Sequence, residues 1–280
     1  MISPCPRKEI CGSCSWSHIP YELQLKQKLS DINGSFALKG LDLDCREILS
    51  SPVTEHYRNR MDFVIDFEGR VGLRERGKWW RVIDGHACFL ADEKIEALFH
   101  DVRDWARSCG LSFYDRKAHT GFLRYAVIRS TTLGQTMVNL VTSSLTQDER
   151  NNFVRLVHRS LGEGGSDIIV SPTFHPTTFI WSQNSTITDV SYGGKLETLS
   201  GPGYIEEEIR GNRYRISPNA FFQTNPHGAV LLLDTVEEYC GDLSEKTLLD
   251  LYCGSGFFSI ALGKKAKECI GIESVEEAIV

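Results

Sequence analysis

The sequence has no apolar run that approaches the roughly 20 residues a membrane-spanning helix needs. Its first residues, MISPCPRKEICGSC, lack the apolar core of a signal peptide. Positive charge is not in excess either, because 31 Lys and Arg residues are set against 37 Asp and Glu residues, for a net charge of −6. Bulk electrostatic attraction to nucleic acid is therefore excluded, and any such contact requires a local basic surface. We expect a cytoplasmic, monomeric protein with no membrane partner.

The 280 residues are enough for one large domain or two ordinary ones, and their 41% hydrophobic content is typical of globular proteins. Up to residue 216, strand and helix patterns follow one another as in an α+β domain. Alternating residues predict an antiparallel meander over 56–90, after a short helix over Tyr21–Leu29, and Asp92 is placed to cap a helix that ends at Gly110. Further strand patterns, together with a helix over 147–161, are LRYAVIRST, QTMVNLVTS, DIIVSP, TTFIWSQ, YIEEEI and NRYRIS.

The pattern changes after Ile216. Residues 225–239 have helical spacing, and the apolar run TLLDLYCGSG leads through two glycines into a helix, FFSIALGKKA, and a second apolar strand, CIGIE. This β-α-β order is typical of the start of a parallel, doubly wound Rossmann-like sheet. Because one such unit cannot cover both faces of a sheet, we expect the domain over 217–280 to be incomplete.

The end of the first of these strands has the residues of a cofactor site. Asp250 lies in the strand, while Gly254 and Gly256 let the backbone approach a ligand beside free helix N–H groups. Glu273 ends the next strand, where a carboxylate can accept hydrogen bonds from both ribose hydroxyls. Ser259 replaces the third glycine of a dinucleotide loop, and a strand carboxylate suits cationic S-adenosyl-L-methionine better than a diphosphate. A turn without a ligand, in which Asp250 caps backbone groups, is the alternative.

Nine cysteines are many for this length, and in a reducing compartment they are more often metal ligands or buried thiols than disulfides. Cys5, Cys11 and Cys14 share one loop-like segment, and Cys88 can complete a four-thiolate site from the meander. The spacing fits an iron–sulfur cluster or a zinc ion, and unligated buried thiols are the third interpretation. Cys253, in the glycine loop, is interpreted as a packing residue.

The segment SPNAFFQTN (217–225), followed by DLYCGSG and preceded by this cysteine pattern, resembles the RNA (uracil-5-)methyltransferase family. The cysteines resemble those of its iron–sulfur-containing 23S ribosomal RNA branch, and the resemblance extends from Cys5 to Glu273. It implies a [4Fe–4S] cluster on the four cysteines and methyl transfer from S-adenosyl-L-methionine to C5 of an RNA uridine, with ribosomal RNA expected before transfer RNA.

The resemblance also implies a fold and residue roles. The fold is an α+β N-terminal and central domain with an iron–sulfur loop, followed by the start of a class I S-adenosylmethionine-dependent methyltransferase domain. The expected parts are a cluster-binding segment with the meander (1–90), an RNA-recognition region (91–216) and an incomplete methyltransferase domain (217–280). The residues expected to bind the cofactor are Gln223, Asp250, Tyr252, Gly254, Gly256 and Glu273.

Uracil C5 is a poor nucleophile, so the chemistry of this family is covalent. A cysteine thiolate adds to C6, C5 attacks the methyl group, and a base removes the C5 proton before the thiolate leaves. In the family, the nucleophile and the base belong to motifs that would follow Glu273. We therefore expect both beyond Val280, and we expect the chain to be inactive alone.

RNA contact would come from cations with interleaved aromatics, which bind unpaired bases by stacking. The candidates are Arg58, Arg60, Arg124 and Arg129, together with Arg74, Arg76, Trp79 and Trp80. Arginines that alternate on a strand can equally form a solvated face. Two further functional hypotheses are a non-catalytic iron–sulfur RNA-binding protein and a zinc-binding structural module.

Overall fold

The computed structural model describes residues 5–144, 147–162 and 173–279. In these residues the helices are α1 (Tyr21–Leu38), α2 (Glu93–Ser108), α3 (Gln147–Ser160), α4 (Pro226–Cys240) and α5 (Phe257–Leu262), with 3-10 turns at Gly263–Lys265 and Glu276–Ala278. The strands are β1 (Arg60–Ile65), β2 (Val71–Glu75), β3 (Lys78–Asp84), β4 (Leu123–Ser130), β5 (Thr136–Thr142), β6 (Thr178–Gln183), β7 (Lys195–Ser200), β8 (Ile205–Ile209), β9 (Asn212–Ile216), β10 (Thr247–Leu251) and β11 (Glu268–Ile272). No helix in this part of the chain has the length and apolar content for a membrane crossing.

A seven-stranded sheet in the order β3-β2-β1-β4-β5-β6-β7 forms the first layer of the protein. The meander β1-β2-β3 is antiparallel, as its alternation predicts, and β1 pairs with β4. Between β5 and β6 the pairing is parallel, with α3 in the connection between them. The sheet is therefore mixed, as expected of an α+β domain. The predicted strand DIIVSP lies outside the described residues.

Helix α2 covers one face of this sheet. Its first turn is capped by the Asp92 side chain, which accepts a hydrogen bond from the Lys94 amide at 2.9 Å. Apolar residues at helical spacing, Ile95, Phe99 and Val102 among them, are fully buried against the strands. The capping residue and the apolar face predicted for this helix are thus both confirmed.

A second core joins the β8–β9 hairpin to α4 and α5. Tyr214 of β9 is fully buried there, and its hydroxyl donates to the Phe257 main-chain oxygen at 3.2 Å. The hairpin therefore packs with the segment that follows it, although we placed it in the region before residue 217. The boundary expected after residue 90 also differs from the structure, because β1 and β4, on either side of it, belong to one sheet.

Strands β10 and β11 form a parallel pair connected through α5, as the β-α-β pattern predicts. The pair is in register from Thr247 with Glu268 to Leu251 with Ile272. Several of its apolar side chains are more than half exposed, Leu249, Leu251 and Ile272 among them. Parallel strands are normally covered on both faces, so this sheet is open in the described part of the chain.

Candidate functional site

The turn between β10 and α5 has the backbone of a ligand-binding loop. Gly254 and Gly256 have φ angles of +53° and +75°, which favour glycine, and Gly256 caps α5. Tyr252 has a φ of +60°, an unusual value for a residue with a bulky side chain. Strained backbone of this kind is found disproportionately at functional sites, which makes the turn a candidate.

The two carboxylates of the turn hold its backbone. Asp250 accepts hydrogen bonds from the Ser259 amide at 3.1 Å and the Ser259 hydroxyl at 2.5 Å, so it performs the capping role that we gave as the alternative. Glu273 accepts from the amides of Gly254, Ser274 and Val275 at 2.7–2.9 Å. These amide hydrogen bonds lower the pKa of Glu273, which keeps it ionised at neutral pH.

The SPNAFFQTN segment is held against the turn by the first sheet. The Asn59 side chain donates to the Gln223 main-chain oxygen at 3.0 Å, and the Asn59 amide donates to the Thr224 oxygen at 3.1 Å. The Arg129 guanidinium donates to the Ala220 oxygen at 2.5 Å and to the Pro218 oxygen at 3.5 Å. Sequence patterns gave no signal for Asn59, because its partners are more than 160 residues away in the chain.

A cavity of about 410 Å³ lies between this segment and the turn, and we call it the glycine-loop cavity. It brings together five of the six residues expected to bind the cofactor: Gln223, Asp250, Tyr252, Gly254 and Glu273. Gly256 is not among its lining residues and acts at the start of α5. The volume of the glycine-loop cavity is in the range of small-molecule sites. Phe222 is buried in the second core, whereas Phe221 is 70% exposed at the rim of the cavity.

A second cavity, of about 570 Å³, is lined by all four cysteines of the predicted metal site, and we call it the cysteine cavity. Cys5 and Cys11 are buried, and Cys14 and Cys88 are partly buried. All nine cysteines lie in the described residues and are free thiols. In those residues, however, no group of three or more His, Cys, Asp or Glu side chains has an arrangement that could hold a metal ion.

The cysteine cavity also contains a thiol with a shifted pKa and two buried polar atoms without partners. Burial, reinforced by the neighbouring thiols, raises the pKa of Cys88 to about 11. Cys88 also has a φ of +81°. The buried atoms Arg58 Nε and His86 Nε2, which belong to residues lining the same cavity, have no hydrogen-bond partner. Buried polar atoms without partners are costly, so this cavity is a candidate binding site.

The four arginines expected to contact RNA fall into two groups. Arg124 and Arg129 are 1% and 3% exposed. Arg124 donates to the main-chain oxygens of Asn184, Thr186 and Thr188 at 2.5–2.8 Å, and Arg129 holds the SPNAFFQTN segment. Their burial argues against contact with RNA and gives both a structural role instead. Arg58 and Arg60 line the cysteine cavity, and Arg60 is paired with Asp62 at 2.7 Å.

The sequence is similar to a family model and to proteins that are named as RNA methyltransferases. Residues 199–279 match the tRNA (Uracil-5-)-methyltransferase family model, a range that includes the β8–β9 hairpin, the SPNAFFQTN segment and the glycine loop. The chain is 36% identical over 283 residues to an uncharacterised RNA methyltransferase of Caldanaerobacter subterraneus subsp. tengcongensis, a match that covers 99% of the chain and 61% of the relative. It is 34% identical to the tRNA (uracil(54)-C(5))-methyltransferase of Pyrococcus horikoshii, covering 96% and 59%.

The fold is also that of a solved methyltransferase. The crystal structure of Pyrococcus abyssi tRNA (uracil-54, C5)-methyltransferase in complex with S-adenosyl-L-homocysteine matches with a TM-score of 0.73 at 29% identity, over 95% of this chain and 60% of that one. The fold is thus similar to that of an S-adenosylmethionine-dependent methyltransferase. The family model and the relatives named for their substrate are RNA (uracil-5-)methyltransferases, and this chain is similar to them. The chain spans about 60% of the length of these relatives.

Proposed function

We propose that the chain contributes the cofactor site and the RNA-binding domain of an RNA (uracil-5-)methyltransferase. The observation that carries this proposal is the glycine-loop cavity, which is lined by both the SPNAFFQTN segment and the end of β10. The solved relative bound to S-adenosyl-L-homocysteine supports the choice of cofactor.

The residues of the cavity have distinct tasks in this proposal. S-adenosyl-L-methionine, when bound, supplies an electrophilic methyl group on a sulfonium cation. Glu273 is ionised. Its Oε1 accepts the Ser274 and Val275 amides, whereas its Oε2 accepts the Gly254 amide and has a second lone pair that can accept a ribose hydroxyl hydrogen. Asp250 contributes a negative charge that favours a cation in the cavity. Gln223 is positioned by the hydrogen bond between its main-chain oxygen and Asn59.

We propose an RNA uridine as the methyl acceptor and transfer RNA as its class. Relatives from two Pyrococcus species are named for C5 methylation of uracil 54 in tRNA. That favours tRNA over the ribosomal RNA suggested by the cysteine pattern. The covalent route through a cysteine adduct at C6 remains part of the proposal, and its nucleophile is not assigned to a described residue.

A [4Fe–4S] cluster in the cysteine cavity is the second part of the proposal. A cluster is several atoms across, so its four ligands stand farther apart than those of one ion, which suits four thiols around a large cavity. Cys5, Cys11, Cys14 and Cys88 would hold it. Its role would be structural, because methyl transfer moves no electrons.

Anaerobic purification tests the cluster. Iron and sulfide should accompany broad visible absorbance, and Cys88→Ser should remove them, whereas Cys109→Ser, at a partly buried thiol outside the cavity, should not. Stoichiometric zinc without visible absorbance, or iron content unchanged by Cys88→Ser, would contradict the assignment.

Equilibrium dialysis with radiolabelled S-adenosyl-L-methionine tests the function. The chain should retain one equivalent, and S-adenosyl-L-homocysteine should displace it whereas NAD+ should not, because the loop has Ser259 in place of the third glycine of a dinucleotide site. Displacement by NAD+ with equal potency would overturn the choice of cofactor, and retention of no label would overturn the proposal.

A further inference from the structure

Two tryptophans stand exposed side by side at the start of β3. Trp79 is 49% exposed and Trp80 is 40% exposed, and their rings contact edge to face with centroids 5.8 Å apart. Indole rings bury a large apolar area when they pack against a partner. Two adjacent indole rings that are exposed to solvent lack that stabilisation. Exposed apolar groups gathered at one place are typical of binding surfaces.

The hairpin that carries them is held rigidly. Arg74 in β2 donates from its guanidinium to the Trp79 main-chain oxygen at 2.7 Å. The segment from Cys5 to Cys14, which we call the cysteine loop, lies along the outer part of the same hairpin. The Gly12 amide donates to the Arg74 oxygen at 2.9 Å, and the Arg76 amide donates to the Ile10 oxygen at 2.8 Å. The tryptophans are therefore presented in a fixed geometry close to the cysteine loop, which reduces the entropy lost on binding.

The charge around the pair is positive, in contrast to the rest of the chain. Residues 74–81 contain four cations and one carboxylate, and Asp189 is ion-paired with Arg74, which leaves a local formal charge of +2 in a chain of net charge −6. The carboxylate, Glu75, is ion-paired with both Lys78 and Arg81. From another loop, the Lys117 ammonium lies 5.6 Å from the centre of the Trp80 ring. Aromatic rings among cations match unpaired nucleotides, which offer base faces for stacking and phosphates for the cations.

We propose that Trp79 and Trp80 form a stacking platform for unpaired bases of the RNA substrate, with Lys117 placed for an adjacent phosphate. The inference rests on the RNA substrate proposed above and adds a recognition surface on the meander. It replaces the buried Arg124 and Arg129 with residues that solvent, and hence RNA, can reach.

Fluorescence anisotropy with a labelled unpaired RNA and a labelled tRNA transcript tests the platform. Trp79→Ala and Trp80→Ala should each weaken binding roughly 5- to 150-fold, the range found for the loss of one stacked base. Trp79→Phe and Trp80→Phe should retain most of the affinity, because stacking needs only an aromatic face. The matched control is Tyr239→Ala, which removes an 88% exposed aromatic on α4 and should leave binding unchanged.

The salt dependence separates stacking from phosphate contact. Lys117→Ala should lower the slope of log K against log salt by about 0.7, the value for one phosphate on a single strand. The tryptophan variants should leave this slope as it is in the wild type.

Two outcomes separate this inference from the function it rests on. If the wild type binds RNA and the alanine variants bind equally well, the pair serves another partner, such as a protein surface, and the inference is wrong while the RNA substrate stands. If the wild type binds neither the unpaired RNA nor the tRNA transcript, the inference and the proposed RNA substrate are both wrong.

Discussion

Asp189 organises one face of the first sheet, although it comes from a polar loop without any recognisable pattern. It accepts hydrogen bonds from the Tyr125 hydroxyl, from Arg116 at 2.7 Å and from Arg74 at 2.5 Å. Burial raises the pKa of Asp189, but the hydrogen bonds from Tyr125 and Arg116 outweigh burial and the net shift is downward. The carboxylate is thus more stable as an anion in the folded state.

The pH dependence of stability follows from this shift. Because the folded pKa lies below the unfolded value of about 3.9, the stabilisation is complete above about pH 4 and is lost as the pH falls through the folded pKa. Asp189→Asn should lower the free energy of unfolding by about 1–2 kcal/mol at pH 7. Urea denaturation should show the difference from wild type narrowing below about pH 4. A constant difference down to pH 2.5 would contradict the assignment, and Asp104→Asn, at an exposed ion pair, serves as the control.

Cys253 is the cysteine that lines the glycine-loop cavity in the described residues. Burial raises its pKa, and the nearby carboxylates of Asp250 and Glu273 raise it further. The thiolate is the nucleophile in cysteine chemistry, so these surroundings suppress the reactivity that uracil methylation needs. This supports the interpretation of Cys253 as a packing residue.

A trapping experiment tests that interpretation. With RNA containing 5-fluorouracil and S-adenosyl-L-methionine, we expect the chain to form no covalent adduct on a denaturing gel. An adduct that disappears in Cys253→Ser would make Cys253 the nucleophile and contradict the prediction. The same variant should bind S-adenosyl-L-homocysteine within about twofold of the wild type.

Among the helices and strands, the sequence predicted a feature correctly where the residues that determine it lie within one short segment. The capping residue and the apolar face of α2 lie within one segment, and both are found as predicted. Helix α1 was expected to end at Leu29 but continues through Gly34 to Leu38. The Asn33 side chain there makes two hydrogen bonds with the backbone of Cys45, at 2.8 Å and 3.0 Å. Strand β7 was missed because it forms by pairing with β6 and has no regular burial pattern.

The β8–β9 hairpin is joined to the first sheet by a buried carboxylate. Glu207 is fully buried and accepts hydrogen bonds from the Thr132 amide at 3.1 Å, from the Thr132 hydroxyl and from the Glu208 amide at 2.9 Å. Thr132 belongs to the turn between β4 and β5. The contact therefore adds a polar link to an apolar one, because Met137 of β5 and Ile180 of β6 pack with the hairpin in the second core.

Removing this carboxylate should be costly. Glu207→Ala removes the acceptor of the Thr132 and Glu208 amides and empties the space of a fully buried side chain, so it should lower the free energy of unfolding by about 2–3 kcal/mol in urea denaturation. Glu208→Ala, one residue along the same strand, loses an exposed ion pair with Arg213 and should cost at most about 1 kcal/mol. Equal losses for the two variants would show that the buried link is unimportant.

At the scale of the whole molecule, the class of fold and the turn after β10 could be predicted from the sequence, whereas the segments that share one core could not. The residues that we expected to bind the cofactor are mostly close in sequence, and five of the six line one cavity. Each of the two cores is formed by segments that are distant in the sequence. The β8–β9 hairpin belongs to the second core, with α4 and α5. Burial of Arg124 and Arg129 also depends on distant partners, so an alternating strand pattern could not distinguish them from surface arginines.

Calorimetric titration with S-adenosyl-L-homocysteine tests the central claim most directly, namely that the cavity beside β10 binds the methyl donor. We predict one saturable site in the wild type and a loss of at least about tenfold in affinity in Glu273→Ala, equivalent to ~1.4 kcal/mol. Glu268→Ala, which removes an exposed carboxylate at the start of β11, should leave the affinity unchanged. Absence of binding by the wild type, or equal affinities for Glu273→Ala and Glu268→Ala, would contradict the account.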